Sequence, residues 1–106
     1  MIIEVTTIII KENKNLEFES AFENVGQVLA KAEGYISHEL QKCIENTNQY
    51  LVLIKWNNLE DHTVKFQPSG LFKELGSLIS SFFERKPNVL HYELTQNPNL
   101  AILKTY

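Results

Sequence analysis

Apolar and polar positions change period several times along the chain. "MIIEVTTIII" is dominated by β-branched residues and reads as a first strand. After the polar turn "KENKN", Phe18, Ala21, Phe22, Val25, Val28, Leu29 and Ala32 recur at helical spacing, which predicts a helix over residues 16–32. Asn15 suits its N-cap, Glu17 and Glu19 its positive start, and Gly34 its end. "YISHELQKCIE" alternates and predicts a second strand with Ile36, His38, Leu40, Lys42 and Ile44 on one face. The turn-like "NTNQ" joins it as a hairpin to a third strand, "YLVLIKW". That run is apolar almost throughout, as a central strand covered on both faces would be. "NNLEDHTVKFQPSG" predicts a helix of about two turns, capped by Asn57 or Asn58 and ended by Pro68 and Gly70. Glu60 and Asp61 in its first turn are expected to point to solvent. A longer helix opens at Ser69, with Leu71, Phe72, Leu75, Leu78, Ile79, Phe82 and Phe83 as its apolar face, and Pro87 stops it. "NVLHYELT" is the fourth strand.

The order β-α-β-β-α-β is the ferredoxin-like pattern of the α+β class. It implies an antiparallel sheet of order 4-1-3-2 with the helices on one face. The other face keeps apolar side chains of strands one and three, and a second copy of the chain is the simplest cover, so a homodimer is expected. Residues 1–96 form the domain. The tail, residues 97–106, contains "LAIL" and is expected to pack at the dimer.

Composition narrows the class. A chain of 106 residues, 43% apolar and 22% charged, is one ordinary globular domain. The net charge of −3, without a block of Lys or Arg, gives no footprint for nucleic acid. Cys43, the only cysteine, has no internal disulfide partner, which fits a reducing compartment. The apolar start lacks a basic flank and a cleavage site, and no run reaches membrane-spanning length. A cytoplasmic protein with neither a membrane nor a nucleic acid as partner is expected.

No phosphate loop, G-x-S-x-G, H-E-x-x-H or C-x-x-C occurs. His38 and His91 fall on opposite edge strands, about three strand spacings or 14 Å apart, too far for one metal within a subunit. They read as exposed or packed strand residues. Trp56 ends the central strand, where a core role is the commoner one. His62 and Phe66 share a face at i, i+4. If that face looks inward, Trp56, His62 and Phe66 line a pocket whose other wall is Phe72, Leu75, Ile79 and Phe82. Such a pocket is apolar with one titratable group, the outline of a small-molecule site. Plain core packing is the competing reading of the same residues.

"GYISHELQKCIENTNQYLVLIKWNNLEDHTVKFQPSGLF" and the later "NVLHYE" resemble the antibiotic biosynthesis monooxygenase domain family. The most specific piece is "YLVLIKWNNLEDHTVKF", with Tyr50, Trp56, Glu60, His62 and Phe66. The resemblance implies a dimeric α+β barrel, two subunits packed sheet against sheet. It implies cofactor-independent oxygenation of an aromatic phenol or quinol, in which an electron-rich anion meets dioxygen directly. Such chemistry asks for a dry pocket and a proton acceptor. In the phenol-oxidising members the tryptophan has an asparagine four residues before it, a tyrosine six after it and an arginine about twenty after it. Here Trp56 matches, His62 takes the tyrosine position, and Val52 and Gly76 replace the asparagine and arginine. Haem-degrading members need an asparagine on strand one and a histidine on the second long helix, where this chain has Thr6 or Thr7 and Gly76. The resemblance thus points to His62 as the catalytic residue, to Trp56, Phe66, Phe72 and Phe82 as the substrate wall, and to no cofactor or metal. A dimer that only binds a small aromatic or hydrophobic molecule is the alternative, and a scaffold protein with a filled pocket is a third reading.

Overall fold

The structure, a computed structural model, describes residues 1–96. The expected docking of the tail falls outside the described residues. Strand β1 (Ile2–Ile9) leads to helices α1 (Asn15–Phe22) and α2 (Val25–Leu29), then to strands β2 (Tyr35–Lys42) and β3 (Gln49–Trp56). A π-helical segment (Asp61–Phe66), helix α3 (Gly70–Ile79), a 3-10 turn (Ser80–Phe82) and strand β4 (Asn88–Glu93) follow. The sheet is antiparallel throughout, with order β2-β3-β1-β4. This is the expected α+β ferredoxin-like arrangement.

Alternation decides the faces. Glu4, Thr6, Ile8 and Ile10 are buried, as are Tyr50, Val52, Ile54 and Trp56 on β3. These residues look toward the helices, and the core forms there with Phe18, Phe22, Val25, Leu29, Phe66 and Ile79. The register sets Glu4 between Ile54 on β3 and His91 on β4. Ile3, Val5, Leu51 and Leu53 fall on the other face by the same alternation, with Leu90 and Tyr92 beside them. Leu90 and Tyr92 are 49% and 54% exposed, so this apolar face is left uncovered by the described residues.

The chain departs from the expected elements in four places. The helix over 16–32 is broken after Phe22, and α2 restarts at Val25, which keeps Phe22, Val25 and Leu29 all on the core. Asn15 is no cap. Its amide donates to the Thr47 carbonyl at 2.7 Å and to the Tyr50 hydroxyl at 2.8 Å, and the second bond gives the buried phenol a donor. On β2 a bulge between Tyr35 and Ser37 puts Tyr35 opposite Trp56 and leaves Ile36 43% exposed. Asp61, expected in solvent, is 4% exposed. Its Oδ2 accepts the Asn58 N–H at 3.1 Å and its Oδ1 meets Lys65 at 3.3 Å, so the carboxylate anchors the start of the π-helical segment.

Candidate active site

Three sequence features place the site. β3 ends in Trp56, and its next residue is tied down by the Asn57 N–H to Gly34 carbonyl bond at 2.8 Å. Gly34 has φ +82°, a conformation glycine adopts without a Cβ penalty, so it can receive Asp61 against its bare Cα. From Asp61 the backbone runs as a π-helix, closed by the Gln67 N–H to His62 carbonyl bond at 2.9 Å. Such wide turns recur at functional sites, and this one aims His62 and Phe66 at the sheet.

His62 is 2% exposed and stacks on Trp56, with ring centroids 5.3 Å apart and planes at 19°. Phe66 packs on both rings, 5.4 Å from Trp56 and 6.1 Å from His62. Glu4, 6% exposed, is the hub beneath them. Its Oε1 accepts the Trp56 indole N–H at 3.0 Å and faces His62 Nε2 at 3.2 Å, and its Oε2 accepts the Thr6 hydroxyl at 2.6 Å. On the far side of the ring, His62 Nδ1 lies 2.7 Å from His91 Nε2. Burial holds the His62 pKa below the ordinary histidine value. The Glu4 carboxylate pulls it upward, and His91 adds to the depression. His62 is therefore a neutral imidazole at neutral pH, available to take a proton beside a carboxylate that would stabilise the cation.

Glu4, Thr6 and His62 border a cavity of about 600 Å³ between the sheet and α3. Its wall is Ile8, Phe22, Val25, Val52, Ile54, Phe66, Phe72, Leu75, Gly76, Ile79, Phe83 and Val89, with Gln67, Ser80 and Lys86 as further polar positions. From Glu4 to Ile8 the strand floor runs about 13 Å, enough to seat a flat fused-ring molecule with one end at the acid–base cluster.

The residues singled out from sequence fall into three groups. His62, Phe66 and Phe72 border the cavity. Trp56, fully buried, lies behind His62 and supports it rather than lining the cavity. Phe82 packs on Phe18 with centroids 6.0 Å apart, and Phe83 takes the cavity position instead. The physical reason is that α3 ends at Ile79. The Lys11 N–H to Phe82 carbonyl bond and the Glu84 N–H to Ile9 carbonyl bond then tie the chain to β1 and rotate it out of helical phase. Val52 and Gly76 leave their part of the wall without a polar group. His38 and His91 lie on opposite edge strands, as expected, but His91 is no mere strand residue because it contacts His62. Glu4 is not among the residues the sequence singles out, and Thr6 enters there only as a replacement for an asparagine of the haem-degrading members. The signal of Glu4 is a charge on the Ile8–Ile10 face of an otherwise apolar strand.

Among the described residues, no trio of His, Cys, Asp and Glu side chains has metal-holding geometry, and no helix is long and apolar enough to cross a membrane. The fold is shared with solved structures. An antibiotic biosynthesis monooxygenase family protein of Bordetella bronchiseptica superposes with a TM-score of 0.87 at 24% identity, over 90% of this chain and 97% of that one. A variant of SnoaB, a cofactor-independent oxygenase of Streptomyces nogalater, gives 0.75 at 16% identity over 91% and 94%. At these identities the likeness is one of fold. In sequence, the uncharacterised protein YczJ of Bacillus subtilis (strain 168) is 39% identical over 93 residues, spanning 88% of this chain and 98% of YczJ. Residues 1–76 match the family described as antibiotic biosynthesis monooxygenase, and the chain belongs to that family.

Proposed function

We propose that the protein is a cofactor-independent monooxygenase acting on an aromatic phenol or quinol, in line with the monooxygenase-type function its family supports. One observation carries this reading: an apolar cavity of about 600 Å³ has a neutral, carboxylate-paired histidine at one end. The substrate lies between Phe66 and Phe72, whose rings stand at 86° so that it meets one by its face and the other by its edge, with its acidic C–H at the Glu4–His62 pair. The pair takes that proton. The carbanion gives its electrons to dioxygen, and a C–O bond forms. The peroxide anion takes the proton back, and loss of water, carrying off the remaining hydrogen of that carbon, leaves a carbonyl. One oxygen atom ends in the product and the other in water, and all four electrons come from the substrate. The apolar wall excludes water, which would otherwise protonate the carbanion first.

The same reading has the protein working as a homodimer, two copies joined through the sheet face of Val5, Leu53, Leu90 and Tyr92. Covering that face would also protect the β4 edge beside the site.

The probe is 1,8-dihydroxyanthrone, a tricyclic phenol with an acidic methylene, followed by oxygen uptake. His62→Ala and Glu4→Gln should each lower turnover by about a hundredfold or more while the fold survives. Binding of the probe without oxygen uptake would leave a small-molecule binding protein. Neither binding nor uptake would overturn both readings.

A further inference from the structure

Both ring nitrogens of His62 are committed, Nε2 to Glu4 at 3.2 Å and Nδ1 to His91 Nε2 at 2.7 Å. The two contacts set each other's polarity. A carboxylate only accepts, so the Glu4 contact places a hydrogen on His62 Nε2. A neutral imidazole carries one ring N–H, so His62 Nδ1 is bare and accepts. His91 Nε2–H is then the donor, and a neutral His91 has Nδ1 as the outermost acceptor of the chain. Every donor points one way, from His91 through His62 to Glu4. His91 is half-buried on the edge strand β4 and does not border the cavity, whereas His62 and Glu4 are buried and do.

We infer that His91, His62 and Glu4 form a directional proton relay, with His91 as its port to solvent. A proton arriving at His91 Nδ1 releases the Nε2 hydrogen to His62 Nδ1, and His62 Nε2 passes its own hydrogen to Glu4. One proton enters, one appears on the Glu4 carboxyl, and each N–H that forms replaces one that breaks. The inference rests on the oxygenase reading for its purpose. A phenol or quinol that enters already ionised brings no proton, so the peroxide anion made from it must draw one from solvent across an apolar wall. The relay is that route. His91 is a relay and positioning residue and touches no reacting atom.

The test is the exchange of the His62 Nε2 hydrogen with water, read by heteronuclear NMR on the full chain at neutral pH without any substrate. His91→Gln keeps an N–H donor where His91 Nε2 stands but has no second basic nitrogen. In the substrate-free chain the Glu4 carboxyl passes its hydrogen to water in the open cavity, which completes the exchange, and the relay predicts that the exchange slows roughly tenfold or more in this variant while His62 stays the Nε2–H tautomer. A structural role predicts unchanged or faster exchange, because a loosened site opens more often, and that result overturns the inference. So does a wild-type His62 found as the Nδ1–H tautomer. His91→Phe serves as the second variant, with the same slowing expected. Because exchange is read without substrate, normal oxygenation with no slowing sinks the relay alone. Slowing with no oxygenation sinks the enzyme reading alone.

Discussion

Gly34→Ala should be among the most damaging single-methyl changes available to this chain, although Gly34 touches no substrate. Gly34 sits at φ +82°, where an L side chain costs roughly 1–2 kcal/mol. A Cβ built there lies 2.0 Å from Asp61 Oδ2, 2.2 Å from its Cγ and 2.6 Å from its Cβ. Rotating the carboxylate clears the first two contacts and not the third, so backbone must move. Displacing Asp61 also breaks its bond from the Asn58 N–H, a charge-assisted bond of about 1.5–3 kcal/mol. The Lys65 pair is half in solvent and adds little. The sum is about 2.5–5 kcal/mol, a large part of a total stability of about 5–15. Urea unfolding at fixed chain concentration measures it as a lower midpoint at unchanged slope. Gly76→Ala is the control. Nothing lies within 4 Å of its Cβ position, and it stands inside α3, so the same substitution should stabilise by about 0.5–1 kcal/mol. A Gly34→Ala protein within about 0.5 kcal/mol of wild type would refute the reasoning.

Three other outcomes are expected. Burial lowers the pKa of both His62 and His38, so the unfolded chain binds protons first. The stabilisation is fully present above about pH 6.5 and is lost as pH falls through the depressed folded values, with His62 contributing a slope of at most about 1.4 kcal/mol per pH unit. The fluorescence of Trp56, stacked on His62, should be quenched in step, and Glu4→Gln should move that midpoint lower, because the carboxylate favours the cation. Leu53→Lys should turn a sedimenting dimer into a monomer, whereas a wild-type monomer at micromolar concentration defeats the dimer. Glu4→Leu orphans the Trp56 and His62 N–H donors. Adding His62→Leu removes one fully buried orphan and frees only the N–H of half-buried His91, so urea midpoints should show the double variant about 1–3 kcal/mol more stable than Glu4→Leu alone.

The strand order and helix faces were legible because one period dominates each element. Ile8 and Ile10, or Leu75 and Ile79, could take no other side without exposing the rest. What alternation cannot carry is phase across an irregularity. The break after Phe22 and the bulge at Tyr35–Ser37 are absorbed locally, whereas the π-helical turn took Asp61 inward and the end of α3 at Ile79 took Phe82 out of the cavity. The cluster was half legible. His62 and Phe66 follow from local spacing, whereas the Glu4–His91 meeting is a register fact between β1 and β4, separated in sequence by the whole domain. A single charge on the buried face of β1 is the one trace of it within the sequence.

That charge also distinguishes the proposed site from a packed core. A carboxylate, a hydroxyl, an indole N–H and an imidazole meet at the floor of an otherwise apolar cavity, and no buried side-chain polar atom among the described residues lacks a partner. Satisfaction of that kind prevents a loss of stability without producing a gain, since well-packed apolar residues at such positions are commonly as stable or more so. The Tyr50 hydroxyl offers a contrast. Its partners Asn15 and Glu19 are only half-buried, so that cluster costs little desolvation and needs no function to account for it. The Glu4 cluster lies almost wholly out of water, with His62 held neutral against the wall of an open cavity. Stability alone does not account for a buried acid–base chain beside empty space. The proposed proton transfer to and from a molecule in that cavity accounts for it.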